Sequence, residues 1–288
     1  MTMLSVQPTG AALGAEIMGV DLAEGVDDAT FASIVDAWRK YEVVYFRNQK
    51  LTPGQHIAFS RRFGELEHHV RKECCRPGYP EIFVVSNIIE NGRPIGTQDA
   101  GLFWHSDLCY KKEPSRGSLF YAREVPHRNG KPAGDTMFAS MTAAYDALPD
   151  GVKRELEGRQ AVNSYVKGYY RDRKSGPRPA LTEEQKAKTP DIAHPAVRTH
   201  PDTGRKCLFV NEGYTTRIVG IGEEESNALL AGLFAHLKKP EFVYRHQWRA
   251  GDFLIWDNCA TQHCAVADYE LPQRRLMERT TLCGTAPF

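Results

Sequence analysis

A histidine and an aspartate stand one residue apart in the apolar stretch FWHSDLCY, at His105 and Asp107. A carboxylate in hydrophobic surroundings is costly unless a partner pairs with it. Side chains two positions apart on an extended strand point to the same side, so this spacing presents an imidazole and a carboxylate together. His263, which follows a strand-like stretch and a polar turn in WDNCATQHC, is the candidate for a third ligand. Two histidines and one carboxylate on a single face are typical of non-haem iron oxygenases, in which adjacent metal positions stay open.

The last strand-like stretch, RLMERTTLC, carries two arginines on one face. Arg275 and Arg279 share that face by a period of two, and Arg275 follows His263 by only twelve positions. An inward guanidinium is costly to bury unless it meets an anion. Guanidinium groups bind carboxylates through paired, charge-assisted hydrogen bonds. The pattern therefore indicates an anion-binding wall near the candidate metal ligands.

Each of these patterns also has a simpler interpretation. A histidine beside a carboxylate is more often a hydrogen-bonded structural pair. Two arginines on a strand more often belong to a solvated face with surface ion pairs. The short separation of His263 and Arg275 favours the functional interpretation, because it places a candidate ligand and a candidate anion-binding group close together in the chain.

Short strands and capped helices are predicted to position these side chains. Asp27 precedes the apolar repeat of a helix, and Thr52 followed by Pro53 is typical of an N-cap and a first helical position. Further helices are expected at 223–239 and within 140–158, which a Leu-Pro step divides in two. Strands are predicted at 43–46, 81–87, 118–125, 207–211, 241–248, 253–258 and 275–283. Many short strands separated by turn residues favour a barrel or jelly roll over an open parallel sheet.

The chain shows no internal boundary. No shift in composition divides it, so we expect one domain over residues 1–288. Residues 164–195 are rich in Lys, Arg, Gly and Pro and show no clear periodicity. Long ordered loops are more often lids or binding segments than simple connections, so we expect a lid or loop here.

The overall composition restricts the class of protein. Lys and Arg number 37 against 36 Asp and Glu, and the net charge of +1 excludes broad electrostatic attraction to nucleic acid or anionic membrane. No apolar run approaches the ~20 residues of a membrane span, and the N-terminal residues lack the pattern of a secretory signal. The seven cysteines form no CxxC pair. We therefore expect a reduced, cytoplasmic protein without a disulfide framework.

Several longer stretches resemble one family. The chain is similar to the TauD/TfdA family of iron(II)- and 2-oxoglutarate-dependent dioxygenases in GAEIMGVDL, QHIAFSRRFGELEHH, FWHSD, GDTMFASMTAAYDALP, HPDTGRKCLFVNEGYTTRIVG, GDFLIWDNCATQH and RRLMERTTL. These stretches extend over nearly the whole chain, in the order that the family has them. The resemblance implies a mainly β fold with flanking helices around a double-stranded β-helix, the cupin-like jelly roll.

The resemblance also implies roles for the candidate residues. His105, Asp107 and His263 would hold the iron. Thr136, in GDTMFAS, matches the threonine that hydrogen-bonds the distal carboxylate of 2-oxoglutarate, and Arg275 matches the arginine that forms an ion pair with it. The implied reaction consumes O2 and 2-oxoglutarate, releases succinate and CO2, and oxidises a C–H bond of a second substrate.

Four further positions match substrate-contacting residues of the family. Arg279 matches the arginine that faces the anionic group of sulfonate or carboxylate substrates. His69, in ELEHH, falls where sulfonate-using relatives place a substrate-contacting histidine. Tyr110 and Tyr214 match aromatic positions that line the substrate pocket. These matches imply a small anionic substrate.

The chain departs from the family pattern at two places. The segment HRNGKPAG, residues 127–134, lengthens the interval between Asp107 and Thr136, and we expect an inserted loop there. Gly101 stands four residues before His105, where relatives that use taurine carry an asparagine that touches the substrate. Taurine is therefore not the expected substrate, although Arg279 still favours an anion.

Two other functions remain open from the sequence. A hydrolase or isomerase could use the same ligands with another divalent metal, and a catalytically silent binding protein could keep the fold. The substrate is open among sulfonates, aryloxy- or other carboxylates and sulfate esters, with hydroxylation or subsequent C–O or C–S cleavage as the outcome. By analogy with relatives we expect a homo-oligomer, either a dimer or a tetramer.

Overall fold

The fold is known from a computed structural model that describes residues 4–69, 72–98, 100–171 and 179–288. The strands within these ranges are β1 Ser5–Pro8, β2 Ala15–Met18, β3 Val43–Phe46, β4 Cys75–Arg76, β5 Tyr79–Ser86, β6 Ile89–Glu90, β7 Arg93–Pro94, β8 Gly117–Glu124, β9 His127–Arg128, β10 Lys131–Pro132, β11 Thr136–Ser140, β12 Gln160–Asn163, β13 Ile192–Pro195, β14 Val197–Thr199, β15 Lys206–Leu208, β16 Thr215–Ile218, β17 Val243–His246, β18 Phe253–Asp257, β19 Thr261–Ala265 and β20 Leu276–Leu282. The α-helices are α1 Asp28–Tyr41, α2 Pro53–Arg61, α3 Met141–Asp146, α4 Asp150–Leu156, α5 Tyr165–Tyr169, α6 Glu183–Ala187 and α7 Glu223–Leu237.

Two sheets form the frame of the molecule. The larger has eight strands in the order β1-β2-β3-β18-β8-β20-β5-β4, and a smaller one has the order β17-β11-β19. Every pairing within them is antiparallel except that of β2 with β3. Strands far apart in the chain pair directly, as β18 does with β3 and β8. Two such sheets, mainly antiparallel, are the jelly roll that the strand pattern predicted.

Helices α1 and α2 cover one face of the larger sheet. Asp27 accepts a hydrogen bond from the backbone N–H of Thr30, and Thr52 forms a capping box with Gln55 ahead of Pro53. Both helix starts predicted from the sequence are thus confirmed. Buried apolar side chains of these helices and of the sheet form one continuous core: Ile34, Trp38, Val44, Phe46, Ile57, Phe59, Leu119, Phe253 and Ile255.

A second core lies between the two sheets. Phe83, Phe120 and Trp256 of the larger sheet pack in one cluster with Phe138 of the smaller sheet. The ring centroids of Phe138 and Trp256 are 5.8 Å apart. Trp248, only 1% exposed, joins the same cluster. Three of these aromatic side chains, Phe83, Phe120 and Trp256, also line the cavity of the candidate site.

The structure corrects several sequence-based boundaries. The strand predicted at 241–248 extends only over Val243–His246, after a turn of 3-10 helix at Pro240–Phe242. The strand predicted at 207–211 is Lys206–Leu208, which pairs with Val197–Thr199. The segment 127–134 contains the β9–β10 hairpin, so the inserted loop is ordered.

The segment 164–195 is not irregular throughout. It begins with α5, contains α6 and ends with β13, while residues 172–178 lie outside the described part of the chain. A short helix of five residues gains little from its own hydrogen bonds, so packing must stabilise it. Among the described helices, none combines the length and the apolar character that crossing a membrane requires.

Candidate active site

The three candidate metal ligands converge at one point between the sheets. His105 and His263 form a β-bridge in which each backbone N–H donates to the other's carbonyl, with N–O distances of 3.1 and 2.9 Å. One ligand atom from each of His105, Asp107 and His263 lies within 4.8 Å of the other two. All three residues are buried. Convergence of groups far apart in sequence onto one point is what binding a single ion requires.

Asp107 does not lie on a strand beside His105, as the spacing suggested. It sits in a turn, and the next residue, Leu108, has a left-handed φ of 57°. Its backbone N–H and carbonyl bond to the side-chain amide of Asn258 instead of to a neighbouring strand. The predicted convergence of the side chains is observed, but it comes from this turn and from the bridge at His105.

In two of the three candidate ligands, a hydrogen bond holds one side-chain atom and leaves a second atom available to a metal. The ring Nδ1 of His105 bonds to the carbonyl of Phe103 at 2.8 Å, which directs Nε2 away from the backbone. The Nη1 of Arg279 donates to Oδ2 of Asp107 at 2.9 Å. The other carboxylate oxygen, Oδ1, lies 3.6 Å from Nε2 of His105. Second partners that orient ligands in this way are typical of metal sites, so the residues fit a divalent ion.

The electrostatics of the site favour the protonation states in which these side chains bind a metal. Burial alone would raise the pKa of Asp107, but the Arg279 guanidinium and the two histidines hold it well below its usual range. Burial, reinforced by the neighbouring His105, lowers the pKa of His263 to about 3. At neutral pH the site therefore presents an ionised carboxylate and a neutral imidazole, the forms that bind metals.

A cavity of about 860 Å³ opens from the three ligands, and it contains Thr136 and Arg275 as well. Arg275 is only 4% exposed. Its guanidinium lies 5.9 and 5.8 Å from the ring centroids of Phe120 and Tyr269, and no carboxylate of the described residues forms an ion pair with it. Burial lowers its pKa. Tyr269 is a hydrogen-bond partner of the guanidinium, but a buried cation without an ion-pair partner is costly, and an anion bound in the cavity would offset that cost.

Thr136 lies on β11, which pairs directly with β19, the strand that carries His263. Its Oγ1 accepts a hydrogen bond from Nε1 of Trp248 at 3.0 Å. Because the indole can only donate, the hydroxyl proton of Thr136 stays available for another acceptor. The sequence predicted a strand that ends at Trp248 but did not link this residue to Thr136. Only the sheet pairing, which joins β11 to β17, brings the two together.

Arg279 and His69 occupy the cavity wall that the family pattern indicated. Besides its bond to Asp107, the Arg279 guanidinium lies 5.4 Å from the centroid of Phe83. The ring of His69 stacks on the same phenylalanine, at 4.1 Å between centroids. Arg279 therefore contacts a candidate metal ligand, a contact that the sequence gave no reason to expect.

Aromatic rings form a further part of the cavity wall, called the aromatic wall below. Tyr110 and Tyr214 lie 4.9 Å apart between ring centroids, and Phe103 lies 5.7 Å from Tyr214. Tyr165, on α5, adds a ring 5.0 Å from Tyr110. A Cβ added to Gly168 of the same helix would come within 2.1 Å of the Tyr214 ring. The absence of that atom allows α5 to pack directly on the aromatic wall.

Two departures from the family pattern acquire a physical meaning. Gly101 has a φ of +72°, and a Cβ there would lie 2.9 Å from Cε1 of His105. A larger residue at this position would therefore press on a candidate ligand. The β9–β10 hairpin turns at Asn129 and Gly130, which both have positive φ, and takes up the longer interval before Thr136, while β11 pairs with β17 and β19.

Comparison with protein families and known sequences gives a consistent result. Residues 5–281 match the model of the taurine catabolism dioxygenase TauD, TfdA family. An alpha-ketoglutarate-dependent 2,4-dichlorophenoxyacetate dioxygenase of Cupriavidus pinatubonensis is 33% identical over 97% of both chains. Pentalenolactone F synthase of Streptomyces arenae is 31% identical over 94% of this chain and 92% of its own.

Solved structures show the same fold. The crystal structure of a taurine dioxygenase from Burkholderia xenovorans has a TM-score of 0.81 at 33% identity, over 99% of this chain and 90% of its own. AAD-2, solved in complex with Mn(II) and N-oxalylglycine, has a TM-score of 0.81 at 30% identity over 99% of both chains. This chain therefore belongs to the TauD/TfdA family and is a 2-oxoglutarate-dependent (alpha-ketoglutarate-dependent) dioxygenase, an enzyme that uses Fe(II), 2-oxoglutarate and O2.

Proposed function

We propose that this enzyme hydroxylates a small anionic organic substrate, with His105, Asp107 and His263 as the iron ligands. One observation carries the proposal: the three ligand atoms converge within 4.8 Å on the wall of a cavity that also contains the buried Arg275. When bound, iron and 2-oxoglutarate supply the oxidising chemistry, in which O2 is consumed and 2-oxoglutarate becomes succinate and CO2. The protein binds and orients the two substrates and excludes water from the site.

Arg275 and Thr136 bind the far carboxylate of 2-oxoglutarate in this proposal. Arg275 offers a fork of N–H donors that suits a carboxylate. Thr136 offers a hydroxyl proton whose direction the Trp248 indole helps to fix. Together they set the angle at which 2-oxoglutarate reaches the ligand face. Both side chains lie away from bulk solvent, which strengthens charge-assisted bonds.

The aromatic wall supports a substrate with a ring or another bulky apolar part. Phe103, Tyr110, Tyr165 and Tyr214 all face the cavity, and its volume lies within the range usual for small-molecule sites. An aromatic or apolar group would pack against these rings, whereas a short aliphatic sulfonate would leave them in contact with water. Among the classes left open by the sequence, this favours an aryl-bearing acid over taurine.

Cationic side chains in the same cavity support an acidic group on the substrate. Arg93 and Arg171 line the cavity besides Arg275 and Arg279. Arg171 stacks over Phe103, with 4.9 Å to the ring centroid, and its Nη2 lies 3.6 Å from Oε1 of Glu212, so its charge already has one partner. Hydroxylation at a carbon bonded to oxygen or sulfur would give an unstable product, so cleavage of that C–O or C–S bond would follow. That outcome depends on the substrate.

A substrate screen tests the proposal. Metal-free protein is loaded anaerobically with Fe(II) and 2-oxoglutarate, and aryloxy acids, other carboxylates, sulfonates and sulfate esters are added one at a time. We expect an aryl-bearing acid to perturb the metal-to-ligand charge-transfer band and, in air, to give stoichiometric succinate and an oxygenated product. A product formed without O2 or 2-oxoglutarate would instead indicate a hydrolase or isomerase, and no succinate with any class would indicate a silent binding protein.

The assembly of the chain stays a prediction. Relatives suggested a dimer or tetramer, and light scattering of the purified protein measures it directly. A monomeric mass across the working concentration range would contradict it.

A further inference from the structure

Asn258 links the two parts of the chain that carry the candidate ligands. It lies in the turn between β18 and β19 and is completely buried. Its Oδ1 accepts from the backbone N–H of Asp107 at 2.7 Å, and its Nδ2 donates to the carbonyls of Asp107 and Ser115, each at 2.9 Å. One side-chain amide therefore satisfies both backbone groups of Asp107 and the carbonyl of Ser115.

The turn that carries Asn258 is held by other contacts. The backbone N–H of Asn258 donates to the carbonyl of Arg116. Oδ1 of Asp257 accepts from the N–H groups of Cys259 and Ala260, at 2.8 and 3.3 Å. The amide of Asn258 is thus not needed to form its own turn, and its hydrogen bonds act on the turn at Asp107.

The three candidate ligands differ in how their backbones are fixed. The bridge between His105 and His263 fixes those two residues relative to each other. Asp107 lies outside any strand, so no ladder of hydrogen bonds fixes it. Arg279 restrains one oxygen of its carboxylate, and Asn258 restrains its backbone.

We infer that Asn258 is a positioning residue for the metal site, one that sets where the Asp107 carboxylate lies relative to the histidine pair. The inference rests on the proposed ligand roles. An amide suits this position because it accepts at one atom and donates at the other, whereas a carboxylate cannot donate to the two carbonyls. Removing an outer partner of a metal ligand typically costs about 10–100-fold in metal affinity.

Mn(II) titration of the metal-free protein tests the inference. The dissociation constant is measured by calorimetry for the wild type, Asn258→Ala, Asn258→Asp and two reference variants, and the melting temperature of each metal-free protein is recorded. Asp107→Ala tests the ligand assignment itself. Gln262→Leu is the matched control, because Gln262 is an equally buried amide on β19 that donates to the carbonyl of Val210 and makes no bond to Asp107.

We expect Asn258→Ala to weaken Mn(II) binding by about 10–100-fold, Asn258→Asp to weaken it too, and Gln262→Leu to bind close to the wild type even where its melting temperature falls. Wild-type affinity in both Asn258 variants, with affinity lost in Asp107→Ala, would overturn the inference and leave the ligand assignment intact. Equal losses in Asn258→Ala and Gln262→Leu would also overturn it. If neither Asn258 variant folds, Asn258 is a determinant of the fold rather than a positioning residue. Wild-type affinity in Asp107→Ala would reject the proposed function itself.

Discussion

Replacement of Arg275 by alanine should sharply raise the concentration of 2-oxoglutarate that the enzyme requires. The guanidinium is buried between Phe120 and Tyr269, and no carboxylate of the described residues forms an ion pair with it. The far carboxylate of 2-oxoglutarate would be its anionic partner. Removing the guanidinium leaves that carboxylate buried without a cation.

The structure sets the expected size of the effect. One buried, charge-assisted contact is worth about 2–5 kcal/mol, which corresponds to a rise of roughly thirtyfold to several thousandfold in the KM for 2-oxoglutarate. The fold should survive, because the backbone at Arg275 is held by other groups. Its N–H donates to Oδ1 of Asn87 and its carbonyl accepts from Oγ of Ser86.

Succinate release measured against 2-oxoglutarate concentration is the assay. Arg274→Ala is the matched control, since Arg274 is the adjacent residue and its exposed side chain pairs with Glu124 outside the cavity. We expect this control to keep the wild-type KM. Arg275→Lys retains the charge without the fork, so it should recover only part of the loss. An unchanged KM in Arg275→Ala would refute the assignment of Arg275 to 2-oxoglutarate.

Three further predictions concern the ligands, Thr136 and pH. Asp107→Ala should abolish 2-oxoglutarate turnover while circular dichroism shows a wild-type fold, and retention of most activity would exclude Asp107 as a ligand. Trp248→Phe should raise the KM for 2-oxoglutarate by about fivefold, because it removes one neutral hydrogen bond to Thr136, worth about 1 kcal/mol; an equal KM would show that the indole does not orient the hydroxyl. Burial lowers the pKa of His56 from its ordinary 6.5 to about 3. Between these two pH values the unfolded state binds more protons than the folded state. The free energy of unfolding should therefore fall as the pH is lowered through this window. Urea titrations at several pH values should show that the free energy of unfolding depends less steeply on pH in His56→Phe. A pH dependence equal to that of the wild type would contradict this prediction.

The sequence predicted which side chains meet, but not the backbone that brings them together. His105 and Asp107 were expected to share a strand face, and only His105 is paired with another strand. Asp107 is instead fixed by an amide that lies 151 positions further along the chain. Local spacing contains no information about such a partner. The chemistry was predictable because few arrangements suit two histidines and a carboxylate.

The aromatic wall shows a second limit of sequence reasoning. Tyr110 and Tyr214 were identified by resemblance, but Tyr165 and Gly168 lie in a segment without periodicity. Helix α5 has five residues, and its place depends on the fit of Gly168 against the Tyr214 ring. A helix that exists because of tertiary packing leaves no repeat in the sequence. Long periodic elements such as α1 and α7 were predicted with small errors at their ends.

The charge balance of the site gives a physical reason for an anionic substrate. Arg279 and Asp107 form an ion pair, so they neutralise each other before any metal binds. A ferrous ion carries two positive charges and 2-oxoglutarate two negative ones, so binding both adds no net charge, and Arg275 contributes one further positive charge to the site. Arg93 adds positive charge at the cavity wall and Glu73 offsets part of it, whereas Arg171 forms an ion pair with Glu212. A neutral substrate would leave this excess in a poorly solvated space, whereas a carboxylate or sulfonate would reduce it. The amide of a true substrate should therefore bind far more weakly than the acid, although both have the same shape.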